Sequence, residues 1–404
     1  MGFDIIIHIG APKTGSSSIQ KVFNDRSSDL LSQGFYYPEH VVDSNGISGG
    51  HWEITNHLRS GNLVAARELF VDHLDKARAL NSKLLLSAEG FINMARPMAE
   101  ILHGFRFLVV AFYRHPVDSF ISAYNQNVKR HGLSLTIEEF VQCGGFRRPE
   151  ISGESLLEWI DVVGKDNMAV MPYIEGEKDV ISAFCELLGL NVSFPRVKVN
   201  LGYTPCAVEI KRLVNKVMSP SPEDSHRFDR LLQQYSDSHF PVRPSADQLL
   251  SKPVYDGLIS YYSQFADAIK GTFDFDVVIR ASVAGIDHES LASVWSYAMA
   301  NGAITPGLLA KLNENRAVDG DFYQLLALLN SGGNQTTHLV IAPNALERLS
   351  VDSVEMADVF RELAMAVRAS GDRAAALSFA VWAGRLRPSG PVIQKLISQL
   401  ESEQ

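Results

Sequence analysis

Residues 8–20 read HIGAPKTGSSSIQ, and this stretch decides the fold of the N-terminal half of the chain. It follows the apolar run FDIII (3–7), which is short enough to be a buried strand, and it leads into SIQKVF (18–23), whose apolar residues share one helical face. The stretch therefore predicts a strand, a tight loop and a helix. The loop is rich in glycine, serine and threonine and holds a lysine, a composition that surrounds an anion with N–H groups and hydroxyls at a helix N-terminus.

The overall composition is that of a globular protein without a nucleic-acid partner. The 404 residues are 46% hydrophobic and carry 37 basic against 46 acidic side chains, a net charge of -9. A nucleic-acid-binding chain usually has the opposite balance. Any anion site must therefore be a local cluster of positive charge.

The cysteines and the N-terminus predict a cytoplasmic protein without a membrane span. Cys143, Cys185 and Cys206 lie far apart with no CxxC pair, which disfavours a disulfide framework or a zinc site and suits a reducing compartment. The N-terminus has no basic leader, and its apolar run is too short for a signal peptide or a membrane span. The histidines fall into no recognised ligand spacing with cysteines or carboxylates, so no metal is expected.

Five apolar runs have the character of buried strands. They are DIIIHI (4–9), GFYYPE (34–39), KLLLSA (83–88), FRFLVVAFY (105–113) and MAVMPY (168–173). Strands that alternate with helical stretches predict an α/β fold with a central parallel sheet, whose ligands bind at the carboxyl ends of the strands. Helical patterns dominate residues 183–262, and a short β-rich patch, FDFDVVIRAS (273–282), follows.

A boundary near residues 284–290 predicts two domains, 1–284 and 285–404, the second nearly all helical. Its end, near 357–390, resembles a tetratricopeptide repeat, with a generic helical hairpin as the alternative interpretation. The residues at the small-residue and terminal-proline positions of that repeat are Ala364, Gly371, Ala376, Ala383 and Pro388. A single repeat cannot bury its own apolar face, so we expect these helices to pack elsewhere on the chain or to bind a protein partner.

The loop differs from the P-loop of nucleoside triphosphatases in the position of its cation. Gly10 and Gly15 have the spacing of the GxxxxGK[ST] motif, but Ser16 follows the second glycine and Lys13 precedes it. A nucleoside triphosphatase needs the lysine after that glycine to reach the β and γ phosphates. The pattern disfavours ATP with magnesium, and an ATP-dependent small-molecule kinase remains an alternative.

The stretch PKTGSSS (12–18) resembles the 5′-phosphosulfate loop of the sulfotransferases that use 3′-phosphoadenosine 5′-phosphosulfate (PAPS). In that family a PKxGTT-like sequence directly follows the first strand, and serines in place of threonines keep the hydroxyls. The resemblance implies a P-loop-like, three-layer α/β domain with PAPS as co-substrate. It assigns binding of the 5′-phosphosulfate to Pro12, Lys13, Thr14, Gly15, Ser16, Ser17 and Ser18.

The second signature of the family is an arginine at the end of a later strand with a serine eight residues on. FLVVAFYRHPVDSFISAY (107–124) supplies both as Arg114 and Ser122, which by resemblance hold the 3′-phosphate. The elements SAEGF (87–91) and SAYNQ (122–126) also resemble those of bacterial members. The family's C-terminal RKG-type loop is not found, and RVKVNLGYTP (196–205) is the candidate replacement.

The resemblance also implies how sulfuryl transfer would proceed. Lys13 would stabilise the departing 3′,5′-diphosphate, and no metal is required. The candidate bases are His51, Glu89 and Glu39, and the glycine-rich segment 44–53 is a candidate acceptor-binding lid. The acceptor is a hydroxyl or an amine on a carbohydrate, a lipid or a small hydroxylated molecule. A non-catalytic scaffold with a vestigial nucleotide site is the other alternative.

Overall fold

The computed structural model describes most of the chain. It covers residues 2–41, 49–173, 179–191, 202–217, 222–239, 245–279, 291–303 and 373–402, with single residues between 308 and 368.

A five-stranded parallel sheet forms the centre of the described fold. Its strands are β1 (Ile5–His8), β2 (Phe35–Tyr36), β3 (Lys83–Ser87), β4 (Phe107–Tyr113) and β5 (Met168–Pro172). Their order in the sheet is β2-β3-β1-β4-β5, and each neighbouring pair is parallel. Each strand lies within one of the apolar runs, so the predicted α/β fold with a central parallel sheet is confirmed.

Helices follow the strands throughout. In chain order they are α1 (Ser16–Asp25), α2 (Ser27–Ser32), α3 (Trp52–Arg59), α4 (Leu63–Ala79), α5 (Ala95–Leu102), α6 (Pro116–Arg130), α7 (Ile137–Gln142), α8 (Pro149–Ser152), α9 (Glu154–Val163), α10 (Val180–Leu188), α11 (Pro205–Val217), α12 (Pro222–His239), α13 (Ala246–Leu249), α14 (Lys252–Phe273), α15 (Leu291–Ala300), α16 (Arg373–Leu386) and α17 (Pro391–Ser402). Short 3-10 helices span Glu89–Asn93 and Lys165–Asn167.

Strand β1 is the central strand and is buried on both faces. Because side chains alternate across a strand, Ile5 and Ile7 enter the apolar cluster on one face, and Ile6 enters the cluster on the other. The first cluster includes residues of α3, α4, α5, α9 and α14, and the second includes residues of α1, α2 and α10. This gives three layers. A strand covered on both faces reads as an unbroken apolar run, as DIIIHI does.

Helix α6 has its own packing partners. Its residues Val117 and Phe120 are buried in a third cluster together with Ile151 of α8 and Tyr262 of α14. Pro116 is the first residue of the helix, a position that suits its fixed φ and missing N–H, and the side chain of the preceding histidine accepts a hydrogen bond at the helix N-terminus. These contacts fix the position at which the chain leaves β4 and enters α6.

The chain divides into two compact units. The first consists of Met1–Val208 and Ser236–Asp287, and the second of Glu209–Tyr235 and His288–Gln404. The second unit thus takes in a segment that precedes the predicted boundary at 284/285. In the second unit α16 and α17 pack around an apolar cluster that includes Ala364, Ala376 and Ala383. The tetratricopeptide assignment stays a prediction, since Gly371 lies outside the described residues.

The predicted β-rich patch at 273–282 is wrong for the described residues. Helix α14 continues to Phe273, and residues 275–279 belong to no strand. Phe275 and Val277 pack against the cluster on the Ile5 face of the sheet. The alternation of apolar and polar residues in this segment therefore comes from burial of every second side chain. The segment itself forms no strand. Residues 280–282 lie outside the described part of the chain.

Within the described ranges, no helix combines the length and the apolar character that crossing a membrane requires.

Gly153, which joins α8 to α9, gives a test of the packing. Its φ is 100°, and a methyl group there would lie 2.7 Å from Ile269 Cδ1 and 3.0 Å from Tyr113 Cε2. Because Gly153→Ala combines left-handed backbone strain with overpacking, we expect it to lower the free energy of unfolding by about 2 to 4 kcal/mol. Urea unfolding followed by tryptophan fluorescence measures the loss.

Gly189 provides the matched control. Its φ is 72°, but no atom lies within 4 Å of the methyl position. Gly189→Ala should therefore cost only the backbone strain, about 1 kcal/mol. Equal losses in the two variants would contradict the predicted clash at Gly153.

Candidate functional site

The loop between β1 and α1 is held by close backbone contacts at the carboxyl edge of the sheet. A Cβ on Gly10 would lie 3.0 Å from the Glu89 Cα, so only glycine lets the loop approach the end of β3 this closely. A Cβ on Gly15 would lie 2.9 Å from Val180 Cγ2. Thr14 is buried, and its Oγ1 donates a hydrogen bond of 2.6 Å to the carbonyl oxygen of Ala11. The loop is therefore shaped by the chain itself.

The N-terminus of α1 opens onto this loop without a side-chain cap. Gly15 is the N-cap residue with φ of 83°, and the first turn holds no acidic residue. Ser16 is buried, whereas Ser17, Ser18 and Pro12 are half-buried. Uncapped N–H groups at a helix N-terminus favour an anion, and the adjacent hydroxyls can add donors. This end of the helix therefore suits a phosphate group.

Lys13 lies at the top of the loop in a strained backbone conformation. Its φ is 68°, a left-handed value that costs a non-glycine residue roughly 1 to 2 kcal/mol. Its Nζ donates a hydrogen bond of 3.0 Å to Oε1 of Gln126 in α6. Strain of this kind persists where the surroundings enforce it, often at ligand-binding sites.

Arg114 follows β4 directly and connects the two predicted phosphate motifs. Its side chain is buried, with 7% of the residue exposed, and its Nη1 donates a hydrogen bond of 3.2 Å to the carbonyl oxygen of Lys13. The guanidinium lies over the ring of Tyr173, 5.3 Å from the ring centroid. These contacts orient the guanidinium before any ligand arrives. Ser122, the other predicted 3′-phosphate residue, is half-buried in α6.

Glu89 begins the 3-10 helix after β3 and faces the same loop. Burial raises the pKa of its carboxyl, while the nearby charges of Lys13 and Arg148 act in the opposite direction and Glu150 adds to the rise. Among the described residues no hydrogen bond reaches this carboxylate. A carboxylate with a raised pKa and no competing donor is suited to accept a proton.

His51 has its ring nitrogens next to backbone groups. Its Nε2 lies 3.0 Å from the carbonyl oxygen of Pro38. Its Nδ1 lies 3.0 Å from both the amide nitrogen and the carbonyl oxygen of Ser87. Burial lowers the pKa of His51 to about 3, and His40 acts in the same direction. In either tautomer both ring nitrogens therefore face backbone groups of the protein.

The third candidate base is Glu39, and the described part of the candidate lid begins at Gly49. Glu39 is exposed to solvent. Gly50 forms a bridge to Ala88, the residue before Glu89, and the neighbouring Trp52 is 43% exposed. Residues 44–48 of the lid and residues 196–201 of the candidate closing loop lie outside the described residues.

Gln126 and Tyr173 were not among the predicted site residues. Gln126 lies one helical turn after Ser122 in α6, so helical periodicity could have placed it beside the predicted serine. Tyr173 follows β5, and its amide donates to the carbonyl oxygen of Tyr113 at 2.8 Å. Only the pairing of β4 with β5 brings it next to Arg114, and the sequence does not show which strands are neighbours.

A buried polar layer lies beneath the site. His8, at the end of β1, is fully buried, and its Nδ1 forms a hydrogen bond of 2.8 Å with Ser87 Oγ. Burial lowers the pKa of His8 to about 3. Gln20 of α1 is also fully buried. Within the described part of the chain, no three histidine, cysteine or carboxylate side chains form a group that could hold a metal ion.

Comparisons with known proteins give distant structural likenesses. No protein-family model and no curated protein matches the sequence. A crystal structure of a sulfotransferase from Alicyclobacillus acidocaldarius matches at 14% identity over 69% of this chain and 98% of that chain, with a TM-score of 0.37. A sulfotransferase domain from the curacin biosynthetic pathway matches at 12% identity over 65% of this chain and 98% of that chain, with a TM-score of 0.28. Both TM-scores lie below 0.5, so neither likeness supports a statement about activity.

The buried histidines predict a loss of stability in acid. In unfolded chains a histidine has a pKa of about 6.5, and in the fold His8 and His51 are lowered to about 3. The neutral forms therefore contribute stability above pH 6.5, and this contribution is lost as the pH falls from about 6.5 toward 3. Each histidine adds a slope of up to about 1.4 kcal/mol per pH unit to the free energy of unfolding.

His51→Gln should reduce that slope, since one titrating group is removed. Urea unfolding at several pH values between about 7 and 5 measures it. Val64 is exposed and carries no titrating group, so Val64→Gln is the control and should leave the slope unchanged. An unchanged slope in His51→Gln would show that His51 does not titrate with a lowered pKa.

Proposed function

We propose that this chain transfers a sulfuryl group from PAPS to a hydroxyl or an amine of an acceptor. The observation that carries the proposal is the hydrogen bond from Arg114 to the carbonyl oxygen of Lys13. It brings together the two stretches that resemble the 5′- and 3′-phosphate motifs of sulfotransferases. Two phosphate-binding elements side by side suit a nucleotide that carries phosphate groups at both its 3′ and 5′ positions.

The 5′-phosphosulfate would lie on the loop before α1. The uncapped N–H groups of that helix and the hydroxyls of Ser16 and Ser17 would hold its oxygens. Lys13 would turn from Gln126 toward the oxygen that bridges phosphorus and sulfur. Charge grows on that oxygen as the bond breaks, so a cation there stabilises the transition state more than the ground state.

The 3′-phosphate would lie on Arg114 and Ser122. A buried guanidinium held over Tyr173 is oriented before the ligand binds, which lowers the entropy cost of forming its hydrogen bonds. ATP has no 3′-phosphate and would gain no hydrogen bonds from Arg114 and Ser122 at this position. The site therefore favours PAPS over ATP.

Glu89 is the base that the geometry favours over His51 and Glu39. It faces Lys13, whereas His51 is occupied by backbone groups and Glu39 is exposed. In the proposed step the acceptor oxygen or nitrogen forms a bond to sulfur while the bond between sulfur and the bridging oxygen breaks. The acceptor proton passes to Glu89, and the electron pair leaves with 3′,5′-ADP.

The acceptor class stays open between a carbohydrate, a lipid and a small hydroxylated molecule. The exposed ring of Trp52, close in sequence to the bridge between Gly50 and Ala88, offers a flat apolar face to an acceptor. The C-terminal helices remain a proposed surface for a protein partner.

We expect 3′,5′-ADP to stabilise the protein and ATP with magnesium to do so much less. At a ligand concentration about 100 times the Kd, the gain in the free energy of unfolding should be about 2.7 kcal/mol, seen as a rise of several degrees in a thermal scan.

Arg114→Ala should weaken binding of 3′,5′-ADP by about 2 to 3 kcal/mol, the scale of a charge-assisted hydrogen bond, and should barely affect binding of 5′-AMP. Isothermal titration calorimetry measures both ligands.

Arg106 provides the control for this experiment. It pairs with Asp4 at 2.8 Å, and both residues precede their strands, so they lie at the opposite edge of the sheet. Arg106→Ala should bind 3′,5′-ADP like the unchanged protein. Tighter binding of ATP with magnesium than of 3′,5′-ADP would support a kinase instead, and binding of neither would support a scaffold.

Glu89→Gln should lower turnover by about 10² to 10⁴ with unchanged affinity for 3′,5′-ADP, because it removes only the proton acceptor. Transfer of label from ³⁵S-PAPS to a panel of monosaccharides, phenols and long-chain alcohols measures turnover. Glu100 is exposed in α5, and Glu100→Gln is the control. The role of base would pass to Glu39 or His51 if the corresponding glutamine variant, and not Glu89→Gln, lost activity while still binding 3′,5′-ADP.

A further inference from the structure

Helix α3 presents an exposed face with an aromatic ring, an amide and a guanidinium in sequence. At 3.6 residues per turn, Trp52, Asn56 and Arg59 fall within about 60° of one another around the helix axis. All three are exposed, whereas Ile54 and Leu58 on the other side of the helix are buried. The first and the last are about 10 Å apart along the axis. Trp52, Asn56 and Arg59 are called the α3 face below.

The helix that carries the α3 face is packed against the turn that follows β3. At the start of the helix, Gly50 forms the bridge to Ala88. Toward its end, a Cβ on Gly90 would overlap Thr55 Cγ2 and would lie 3.1 Å from Arg59 Nη2. Only glycine therefore lets the turn approach the helix this closely. The candidate base, which lies between Ala88 and Gly90 in sequence, is held beside this helix.

The phosphate loop meets the same turn through a separate contact. A Cβ on Gly10 would lie 3.0 Å from the Glu89 Cα, so the loop before α1 touches the residue that is the candidate base. A donor held on that loop and an acceptor held on the α3 face would therefore both border Glu89. This is the arrangement that a transfer reaction between them requires.

Arg59 differs from four other arginines of the first unit in its lack of an acidic partner. Arg26, Arg78, Arg96 and Arg106 each pair with an aspartate or a glutamate. Among the residues that the structure describes, no carboxylate pairs with the Arg59 guanidinium. Carboxylates are abundant in a chain with a net charge of -9, so this guanidinium stays available to an anion from solution.

We propose that the α3 face binds an acidic carbohydrate acceptor of at least two sugar rings. This inference rests on the proposed function and names its acceptor class. An aromatic ring packs against the apolar face of a sugar, an amide bonds to hydroxyls, and a guanidinium fork matches a carboxylate. The length of about 10 Å exceeds that of one sugar ring, which favours an oligosaccharide that contains a uronic acid. A lipid tail or a phenol would leave Asn56 and Arg59 without a partner.

Binding of trigalacturonate and of a hyaluronan tetrasaccharide to the full chain tests the proposal. Isothermal titration calorimetry at low salt compares each with the same oligosaccharide after reduction of its carboxylates to primary alcohols, which keeps the rings and removes the charge. The acidic forms should bind about 3- to 10-fold more tightly, a modest factor because the guanidinium is exposed. Arg59→Gln should abolish this preference, and Arg59→Lys should keep part of it.

Two further variants separate the charge from the aromatic ring and from the overall field. Trp52→Ala should weaken binding of the acidic and the reduced forms alike, by about 2- to 10-fold, since packing on the ring does not depend on charge. Arg67 is exposed in α4, outside the α3 face, and donates to the carbonyl oxygen of Glu100 at 3.4 Å. Arg67→Gln removes an equal charge and should keep the preference. A thermal scan checks that each variant is folded.

The inference is overturned if neither oligosaccharide binds, if the acidic and reduced forms bind equally, or if the preference survives Arg59→Gln. Transfer of label from ³⁵S-PAPS separates it from the proposed function. Transfer to a neutral sugar, a phenol or a long-chain alcohol, without binding of acidic oligosaccharides, would keep the proposed function and exclude this acceptor class. Charge-dependent binding at Arg59, with neither binding of 3′,5′-ADP nor any transfer, would leave a carbohydrate-binding surface and reject the proposed function.

Discussion

Parallel hydrogen bonding of β1 to β3 on one side and to β4 on the other is the constraint on which the candidate site depends. The register places His8 opposite both Ser87 and Val110. In a parallel sheet all three strands then end at the same edge, and the segments that follow them must share one region. The loop at Lys13, the turn at Glu89 and the side chain of Arg114 become neighbours although they come from distant parts of the sequence.

The charges at this edge differ from those of the rest of the chain. Lys13 acts on the Glu89 carboxyl and Arg114 donates to the Lys13 carbonyl oxygen, so two cations lie at this edge in a chain whose net charge is -9. Arg114 is already largely removed from water, so a bound anion would replace little of its hydration and gain most of the direct interaction. The net negative charge of the chain is therefore compatible with the proposed nucleotide, because the cations at this edge are held by backbone and ring contacts.

The sequence predicts the parts of this site that are contiguous. The strands, the loop at 10–18 and the start of α6 all follow from local patterns of apolar residues, glycine and proline. It does not predict contacts that depend on three-dimensional packing. The glycine-rich segment suggested that His51 lies in an open loop, but the chain at Gly50 turns with φ of 71° against the Ser87 carbonyl and buries the imidazole. The contact of Tyr173 with Arg114 is equally unpredictable, because only the pairing of β4 with β5 brings the two side chains together.

The contacts of Gly10 and Gly15 divide the site into surfaces with different tolerance to sequence change. Both glycines are pressed against other parts of the fold, Gly10 against Glu89 and Gly15 against Val180, so a larger residue at either position would displace its neighbour. Trp52 projects into solvent, with 43% of the residue exposed and no comparable restriction on its volume. A combinatorial library built to test the proposed acceptor surface should therefore vary residues around Trp52 and keep Gly10 and Gly15 constant, since a side chain at either glycine would clash with another part of the fold.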